Sequence, residues 1–573
     1  MKPYLTGILV FVGLGLLFAV WIFYEDRKRK RILLKRVRRI YGNPPEREYR
    51  SGDIENISHY FRRREEEGFV IDDITWNDLD LDRVYMMVNQ TASSPGEDVL
   101  YSMMRRPLFS QKEVDDREAL IGFFASHERE REQMQLMLFK VGKTRLGSLS
   151  DTVLALNDSP KVKPGLHIFM LVVLLASLLI VLPLNPVAGF FLFLVLMIGN
   201  TAIYYAGKDK KLLDTYAECI SHLLRMLSVA EEMSTVKWPE TKKQMDAIQE
   251  GKEAFAGISR KAFFLTSKNG DGDMLQAVLD YVRMITHVDI LVYNRVLDEV
   301  KGKTDAIMKL IDSIGELDAA ISIASFRELL SLKCSPRFVP WDKKSQISLK
   351  VQDLYHPLLE EAVANSVSID GGTLVTGSNA SGKSTFLKNV ALNSILAQTI
   401  CTCTCSDYEA PFLKVMTSMA LRDDLLGGES YFIVEIKSLK RILEESRKEE
   451  PLLCIIDEVL RGTNTIERIA ASSRILGALK KKWVLPFAAS HDIELSYILD
   501  GIYENYHFEE EVREKEVVFS YILMEGRATS RNAIRLLDML GYDQDIVENA
   551  KMAAESFERT GVWTPLDARR EIS

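Results

Sequence analysis

The chain has 573 residues, with 73 lysines and arginines against 81 aspartates and glutamates, and its formal net charge is −8. This length allows several domains, each with its own core. The charge balance excludes a protein that coats nucleic acid by overall charge alone, although a local basic face remains compatible with it. Six cysteines are too few and too unevenly spaced for a disulfide framework, so the sequence predicts reduced thiols in a cytosol-facing protein.

The first element is an uncharged apolar run at residues 5–24, LTGILVFVGLGLLFAVWIFY. Twenty helical residues extend about 30 Å, which is enough to cross a bilayer core. A cleaved signal peptide would carry its basic region before the apolar run, whereas here the basic residues follow it. The sequence therefore predicts a transmembrane anchor in residues 1–24, with residue 25 onward in the cytoplasm.

A basic juxtamembrane linker is predicted for residues 25–76. Nine lysines and arginines lie between residues 27 and 39. This cluster is typical of a stop-transfer flank that also attracts anionic lipid headgroups. The alternative is a DNA-binding arm.

Two mostly helical segments follow, at residues 77–165 and 207–340, with long polar–apolar periodic runs and few glycines or prolines. Between them, residues 166–206 are apolar and are interrupted at Pro183, Asn185 and Pro186. This pattern predicts a transmembrane helical hairpin whose two ends, flanked by KVK and KDKK, are cytoplasmic. The alternative is a buried hairpin of a soluble protein.

From about residue 341 the pattern changes to short apolar strands that alternate with helices. It predicts an α/β domain with a largely parallel sheet over residues 341–560, followed by a tail at 561–573. Within this domain, Cys401, Cys403 and Cys405 form a C-T-C-T-C run. Structural zinc sites usually space paired ligands by two to four residues, so the run is better interpreted as one buried face of a strand than as a metal site.

A phosphate-binding loop is predicted between the strand GTLVT (372–376) and the helix TFLKNVALNSILAQ (385–398). The spacing GSNASGKS is that of a P-loop, whose glycines let backbone N–H groups surround phosphates at a helix N-terminus. Lys383 would reach the β- and γ-phosphates of a nucleotide, and the hydroxyl of Ser384 would bind Mg²⁺. The predicted ATP-binding residues of this loop are Gly377, Ser378, Asn379, Ala380, Ser381, Gly382, Lys383, Ser384 and Thr385.

The second half of such a site is an apolar strand that ends in acidic residues, and residues 452–458, LLCIIDE, have this form. Asp457 would hold Mg²⁺ through water, and Glu458 would polarise the attacking water. Another apolar strand, VLPFAASH (484–491), ends in a polar pair, and His491 is a candidate sensor of the γ-phosphate or the attacking water. The alternative for His491 is a histidine that only caps the strand.

These segments, in this order and spacing, resemble the ATPase motifs of the MutS family. The resemblance rests on TGSNASGKSTFLKNVAL, DDLLGGESYFIVEI (423–436), IIDEVLRGTNTIE (455–467) and AASHDIEL (488–495), and it covers residues 350–555. The loop departs from the usual form of the family, because Ala380 and Ser381 stand where methionine and glycine are common. The backbone N–H groups of the loop contact the phosphates, so ATP binding is still expected with these two side chains.

Upstream residues resemble the core or lever domain of the same family. Its threonine–glycine–leucine–proline pattern is matched by Thr91, Gly96, Leu100 and Pro107 within residues 81–124, and the domain's return is matched by 315–326 and 335–340. LYHPLLEE (354–361) is similar to the segment beside the adenine, which implies that His356 or its neighbours contact the base.

Two family domains have no counterpart in this resemblance. The 55 or so residues between the first span and the core are too few for the mismatch-reading domain. The apolar hairpin stands where the family's clamp is inserted between the lever helices. The resemblance therefore implies a membrane-anchored member that lacks the mismatch-reading and clamp domains.

The expected protein is a P-loop ATPase domain of MutS/ABC type with an all-α lever domain and three transmembrane helices. The resemblance implies a homodimer that uses ATP and Mg²⁺, in which Ser430 of the GGES segment acts in trans on the partner's γ-phosphate. The leading hypothesis is a multi-pass protein of the cell membrane, with a cytoplasmic ATPase domain that moves lever helices and contacts lipid and an unknown membrane protein. The alternatives are a DNA-binding ATPase of repair or recombination at the membrane and a nucleotide-locked scaffold with negligible turnover.

Overall fold

The structure is a computed structural model, and it divides the chain into two compact units. Unit 1 comprises Met1–Gly68, Tyr85–Arg106 and Lys112–Ser331, and unit 2 comprises Phe69–Val84, Pro107–Gln111 and Leu332–Ser573. The residues that the structure describes are 20–21, 23–25, 27–64, 68–144, 148–157, 159–206, 208–255, 281–378, 381–419, 431–513, 516–528, 534, 537–538 and 541–565. Most of the first predicted span, residues 5–24, lies outside them.

The described part of unit 1 is built from helices. In chain order, the helices through residue 329 are α1 (27–40), α2 (Asp53–Arg63), α3 (Asp73–Asp78), α4 (Leu81–Val88), α5 (Ser94–Arg105), α6 (Gln111–Ser126), α7 (Glu128–Val141), α8 (Leu149–Asn157), α9 (Gly165–Leu184), α10 (Pro186–Ala206), α11 (Lys208–Met233), α12 (Lys242–Glu253), α13 (Val288–Val300) and α14 (Thr304–Leu329). Of these, α3 and the start of α4 belong to unit 2. A 3₁₀ turn, Pro239–Thr241, precedes α12, and residues 281–286, ahead of α13, are also helical. The predicted linker, residues 25–76, therefore contains helices α1 and α2 and the start of α3.

The centre of unit 1 is the contact between α5 and α14. The carboxylate of Asp318, which is 2% exposed, accepts hydrogen bonds from the backbone N–H groups of Ala92 at 3.0 Å and Ser93 at 2.8 Å and from the Ser93 hydroxyl at 2.5 Å. The Ser93 hydroxyl in turn accepts from the N–H of Gly96 and caps α5. A buried carboxylate is tolerated here because three donors converge on it.

Two glycines let these helices approach closely. A Cβ atom on Gly96 would lie 2.3 Å from Oδ2 of Asp318, and one on Gly315 would lie 2.3 Å from Cγ2 of Val99 and 2.5 Å from the carbonyl oxygen of Pro95. Gly96 is the glycine of the threonine–glycine–leucine–proline pattern in the sequence. The pattern has a glycine at this position because a larger residue would clash with Asp318.

Gly315→Ala is expected to reduce the free energy of unfolding by about 1–3 kcal/mol, because the added methyl group overpacks the contact between α5 and α14. Thermal unfolding of the purified full-length protein would show this as a melting temperature several degrees lower.

Gly122→Ala is the matched control, since Gly122 lies inside α6 with nothing within 4 Å of an added Cβ. This substitution is expected to be neutral or to stabilise by up to ~1 kcal/mol, as alanine is the better helix former. Equal melting temperatures for the two variants would contradict the close packing.

Helices α9 and α10 are long and apolar enough to cross a membrane by length and composition, with mean hydropathies of 2.8 and 2.0. Only Asn185 separates them, and only 17% of the most apolar window of each helix is buried. Such exposure is unusual for apolar side chains of a soluble core. The two helices are divided within the predicted break, although Pro183 itself lies in the last turn of α9. Among the described residues, these two helices are the ones long and apolar enough to cross a membrane.

Unit 2 is a mixed α/β structure, which confirms the α/β part of the predicted fold class. Its strands are β1 (Arg337–Phe338), β2 (Leu349–Leu354), β3 (Asn365–Ile369), β4 (Gly372–Thr376), β5 (Asp407–Ala410), β6 (Lys414–Ser418), β7 (Leu452–Asp457), β8 (Val484–Ser490), β9 (Tyr503–Arg513) and β10 (Glu516–Glu525). Its later helices are α15 (Lys383–Ile400), α16 (Tyr431–Glu445), α17 (Thr465–Leu479), α18 (Ile493–Ile498) and α19 (Gln544–Thr560).

The strands form two sheets. The smaller has the order β1-β5-β2-β3, and the larger has the order β10-β9-β4-β8-β7-β6. In the larger sheet β6, β7, β8, β4 and β9 are mutually parallel, and β10 is antiparallel to β9. Strands β4, β7 and β8 are almost wholly buried, as expected for parallel strands covered on both faces.

The register of the central strands brings the predicted motifs to one edge of the sheet. Thr376 at the end of β4 pairs with Ser490 at the end of β8, and Asp457 at the end of β7 pairs with Ala489. The segments that follow these strand ends are therefore neighbours. In open parallel sheets ligands bind outside the carboxyl ends of the strands, and this edge meets that condition.

The interpretation of Cys401, Cys403 and Cys405 as one strand face is wrong. Cys401 ends α15 in the left-handed region, with φ of 51°, and Cys403 forms an isolated bridge with Cys334. The run is thus a turn between α15 and β5, where the alternation of side chains along a strand does not apply. The three side chains are nevertheless buried, as predicted.

Candidate functional site

The predicted phosphate loop leaves β4 and enters α15. Gly377 and Gly382 have φ values of 146° and 106°, which L-residues with side chains rarely adopt. A Cβ atom on Gly377 would lie 2.9 Å from the carbonyl oxygen of Phe508. Because Gly382 is the N-cap of α15, the free N–H groups at the start of this helix lie beside the loop, as an anion site requires.

Lys383, the first residue of α15, turns back over the loop. Its ammonium donates to the carbonyl oxygens of Gly377 at 2.7 Å and Ser378 at 2.5 Å. Burial lowers the pKa of Lys383, and the carboxylates of Asp457 and Glu458 oppose that shift. A positive charge that is partly desolvated and close to a helix N-terminus is suited to binding an anion of high charge.

Asp457, at the end of β7, hydrogen-bonds with the hydroxyl of Ser384, and burial raises the pKa of its carboxyl group. Among the described residues, Oδ1 of Asp457 is a buried oxygen with no hydrogen-bond partner. A carboxylate oxygen and a hydroxyl oxygen next to a phosphate site are the ligand types that Mg²⁺ prefers. The donor set of Ser384 and Asp457 therefore fits Mg²⁺.

Glu458 is the next residue and points to the end of β8. Its Oε1 lies 3.4 Å from Nδ1 of His491, and its Oε2 lies 2.9 Å from Nε of Arg461. The hydrogen bond to His491 lowers the pKa of Glu458, and the same contact raises the pKa of His491. Glu458 is thus held as a carboxylate at neutral pH, the form that accepts a proton.

The backbone at Glu458 is strained. Its φ is 55°, although it has a full side chain, and its N–H donates to the carbonyl oxygen of Ala489 at 3.0 Å. Leu460, two residues later, also has a positive φ of 57°. Non-glycine residues in this region are uncommon and cluster at functional sites.

A cavity of about 550 Å³ adjoins the phosphate loop. Lys383, Ser384 and Glu458 line it on one side and His356 lines it on another. Burial, followed by the charge of Lys388, lowers the pKa of His356 to about 4, so the imidazole is neutral at pH 7. A neutral ring beside an apolar wall suits the contact with a base that the family resemblance implies for this residue.

The structure brings most of the predicted site residues together. Ser381, Gly382 and Thr385 line the same cavity as Lys383, and Asp457 and His491 contact residues of its lining. Three predicted residues, Asn379, Ala380 and Ser430, lie outside the described part of the chain.

Several neighbours of the site have no sequence motif that would have identified them. The hydroxyl of Ser378 donates to the carboxylate of Glu510 on β9, and Phe508 and Tyr521, on β9 and β10, line the cavity. Arg468 on α17 forms a bidentate pair at 2.7 and 2.8 Å with Asp492, the residue after His491. Each of these residues is separated in the sequence from the residue that it contacts, so only the folded structure identifies it as a neighbour of the site.

Comparisons with known proteins match the region of the chain that contains this site. The family profile "MutS domain V" matches residues 373–558. DNA mismatch repair protein MutS of Leptospira interrogans is 30% identical over 291 residues, which are 48% of this chain and 33% of that protein. DNA mismatch repair protein MutS of Petrotoga mobilis is 29% identical over 278 residues, which are 45% of this chain and 32% of that protein. The MutS protein of Thermus thermophilus is 30% identical over 220 residues, which are 37% of this chain and 27% of that protein.

The matched region spans about a third of the length of these relatives. It contains the phosphate loop, Asp457 and Glu458, and His491, which follow or end strands β4, β7 and β8 at the same edge of the parallel sheet. Residues 373–558 are therefore a domain V of the MutS family, and through this domain the chain is related to that family.

Proposed function

We propose that this protein is a membrane-anchored ATPase of MutS type, which binds and hydrolyses ATP at sites completed by a second copy of the chain. The observation that carries the proposal is the convergence of Lys383, Ser384 and Glu458 on one cavity, with Asp457 hydrogen-bonded to Ser384. This set combines an anion cradle, ligands for a divalent cation and a proton acceptor, which are the parts that phosphoryl transfer to water needs.

Binding is assigned to the loop and the cavity beyond it. The N–H groups at the start of α15 and the ammonium of Lys383 would hold the phosphates, with Lys383 exchanging its carbonyl contacts for phosphate oxygens. His356 would contact the base. Ser384 and Asp457 would hold Mg²⁺, which neutralises phosphate charge when it is bound.

Hydrolysis is assigned to Glu458. Its carboxylate would accept a proton from water while the water oxygen bonds to the γ-phosphorus and the bond to ADP breaks. His491 and Arg461 hold the carboxylate from two sides and keep it ionised. Ser430 would act on the γ-phosphate of the partner, so that the dimer closes around ATP and reopens after hydrolysis.

The movement driven by the ATPase cycle is assigned to the helices of unit 1. The two apolar helices α9 and α10 are inserted within the helical segment that resembles the lever, where the family carries its clamp. Cycles of dimer closure would move the lever helices and the attached spans, a coupling of a few kcal/mol. The first span, residues 5–24, would anchor the chain as a third membrane helix.

A second candidate is a DNA-binding ATPase at the membrane. It is favoured by the name of the relatives, DNA mismatch repair protein MutS, and by the basic residues of α1. Here the phosphate contacts of a duplex would come from α1 and from positive faces of the lever helices.

ATPase activity of the full-length protein in lipid nanodiscs separates the two candidates. With the membrane-coupled function, turnover is expected to depend on the lipid and to stay unchanged when matched or mismatched duplex DNA is added. The Lys383→Ala variant is the control for contaminating ATPases. Stimulation by DNA together with a salt-dependent shift of the duplex would favour the second candidate and overturn the first.

A further inference from the structure

A cluster of three cysteines lies in unit 2, and none of the three lines the nucleotide cavity. The ligand atoms of Cys334, Cys403 and Cys405 all lie within 4.8 Å of one another, and the Sγ atoms of Cys334 and Cys405 are 3.5 Å apart. All three are free thiols. Cys403 and Cys405 are fully buried, whereas Cys334 is partly exposed to solvent.

The backbone holds these side chains in place. Cys334 and Cys403 exchange two backbone hydrogen bonds, of 3.1 and 3.0 Å, in an antiparallel bridge. Between the two buried cysteines, the N–H of Thr404 donates to the side chain of Asn393 at 2.6 Å, and the carbonyl oxygen of Thr404 accepts from the N–H of Tyr355 at 3.1 Å. The cluster is thus fixed by contacts that do not involve the thiols.

The spacing of the sulfur atoms suits a tetrahedral ion. Zinc–sulfur bonds of about 2.3 Å in a tetrahedron place neighbouring sulfurs about 3.8 Å apart, which lies between the 3.5 Å contact and the 4.8 Å limit of the cluster. A disulfide would use two thiols and leave the third without a function. Convergence of three thiols from two separate segments is the arrangement that a thiolate-bound metal requires.

We propose that Cys334, Cys403 and Cys405 bind one Zn²⁺ ion, with a fourth ligand from the solvent on the side of Cys334. Each thiol gives up its proton to solvent as its sulfur bonds to the ion, so binding strengthens as the pH rises. The ion joins the segment that begins at Leu332 to the turn that follows α15. Since α15 begins at Lys383, the far end of the phosphate-loop helix is then fixed by a metal.

Metal content of the full-length protein, reduced and free of any affinity tag, tests the proposal. One zinc per chain is expected by elemental mass spectrometry. Titration of the metal-free protein with Cd²⁺ is expected to give a thiolate-to-metal charge-transfer absorption that saturates at one equivalent.

Cys334→Ser is the informative variant, because Cys334 is the partly exposed member of the cluster. It is expected to weaken zinc binding at least about 10-fold, the lower end of what the loss of even an outer-shell partner costs. Cys401→Ala is the matched control, as Cys401 is buried in the same run but lies outside the cluster, and it is expected to keep one zinc.

Three results would overturn the proposal. The first is that the reduced wild-type protein holds less than about a tenth of an equivalent of zinc after incubation with excess Zn²⁺. The second is that Cys334→Ser and the wild-type protein bind zinc with equal affinity. The third is that Cys334 and Cys405 form a disulfide with each other under cytosolic redox conditions. Thiol counting under denaturing conditions detects the last of these. ATP binding by both variants would show that they are folded.

Discussion

Replacing Glu458 with glutamine is expected to leave ATP binding intact and to lower the turnover number by about 10²–10⁴-fold, the usual contribution of a general base. Glutamine keeps the shape of the side chain and removes the carboxylate that accepts the proton. The pKa of Glu458 is already lowered, so the wild-type residue is ionised throughout the neutral range, and no pH change between 6 and 8 would rescue the variant.

Two measurements are needed for Glu458→Gln. Equilibrium binding of a fluorescent ATP analogue gives the affinity, and phosphate release under saturating ATP gives the turnover. Glu444→Gln, on the exposed face of α16, is the matched control and is expected to behave as wild type. A Glu458→Gln variant with unchanged turnover would remove Glu458 from the role of base.

Lys383→Ala is expected to weaken ATP binding by about 10²-fold or more. Hydrogen bonds to charged groups contribute about 1.5–3 kcal/mol each, and the ammonium of Lys383 makes two contacts that phosphate oxygens would replace. The substitution also removes a positive charge that lies near the carboxylates of Asp457 and Glu458, so a bound phosphate would be repelled more strongly by these two groups.

The affinity of Lys383→Ala is measured by the same equilibrium titration. Lys440→Ala, whose side chain is 74% exposed on α16, is the control for the loss of one lysine elsewhere in unit 2. Circular dichroism of both variants checks that the fold is retained. Wild-type affinity in Lys383→Ala would mean that the loop does not hold the phosphates.

The elements that carry the site were predictable because each is encoded locally. Strand β4 has the predicted bounds, β7 ends at Asp457, and β8 leads directly into His491. A glycine-rich turn between an apolar strand and an amphipathic helix is a short-range pattern, and the apolar break at Pro183–Pro186 is equally local. Local patterns also fix the fold class, since alternating strands and helices favour a parallel sheet.

What escaped prediction depends on residues that meet only after folding. Glu510 and Phe508 reach the phosphate loop because β9 pairs with β4, some 130 positions earlier in the chain. The period of a strand does not apply to the cysteine run, because Cys401, the residue that follows α15, has a left-handed backbone conformation. The third member of the cluster, Cys334, is brought there by a single backbone bridge that leaves no signal in the sequence.

The glycine contacts between α5 and α14 restrict how unit 1 can change shape. Gly96 lies against the buried carboxylate of Asp318, and Gly315 lies against Val99 and a backbone carbonyl oxygen. If one helix slid along the other, side chains of neighbouring residues would move into the narrow spaces that these two glycines occupy. Shear between packed helices is one of the two common modes of domain motion, and here it is sterically blocked. We therefore expect α5 and α14 to move together as one body rather than to slide past each other.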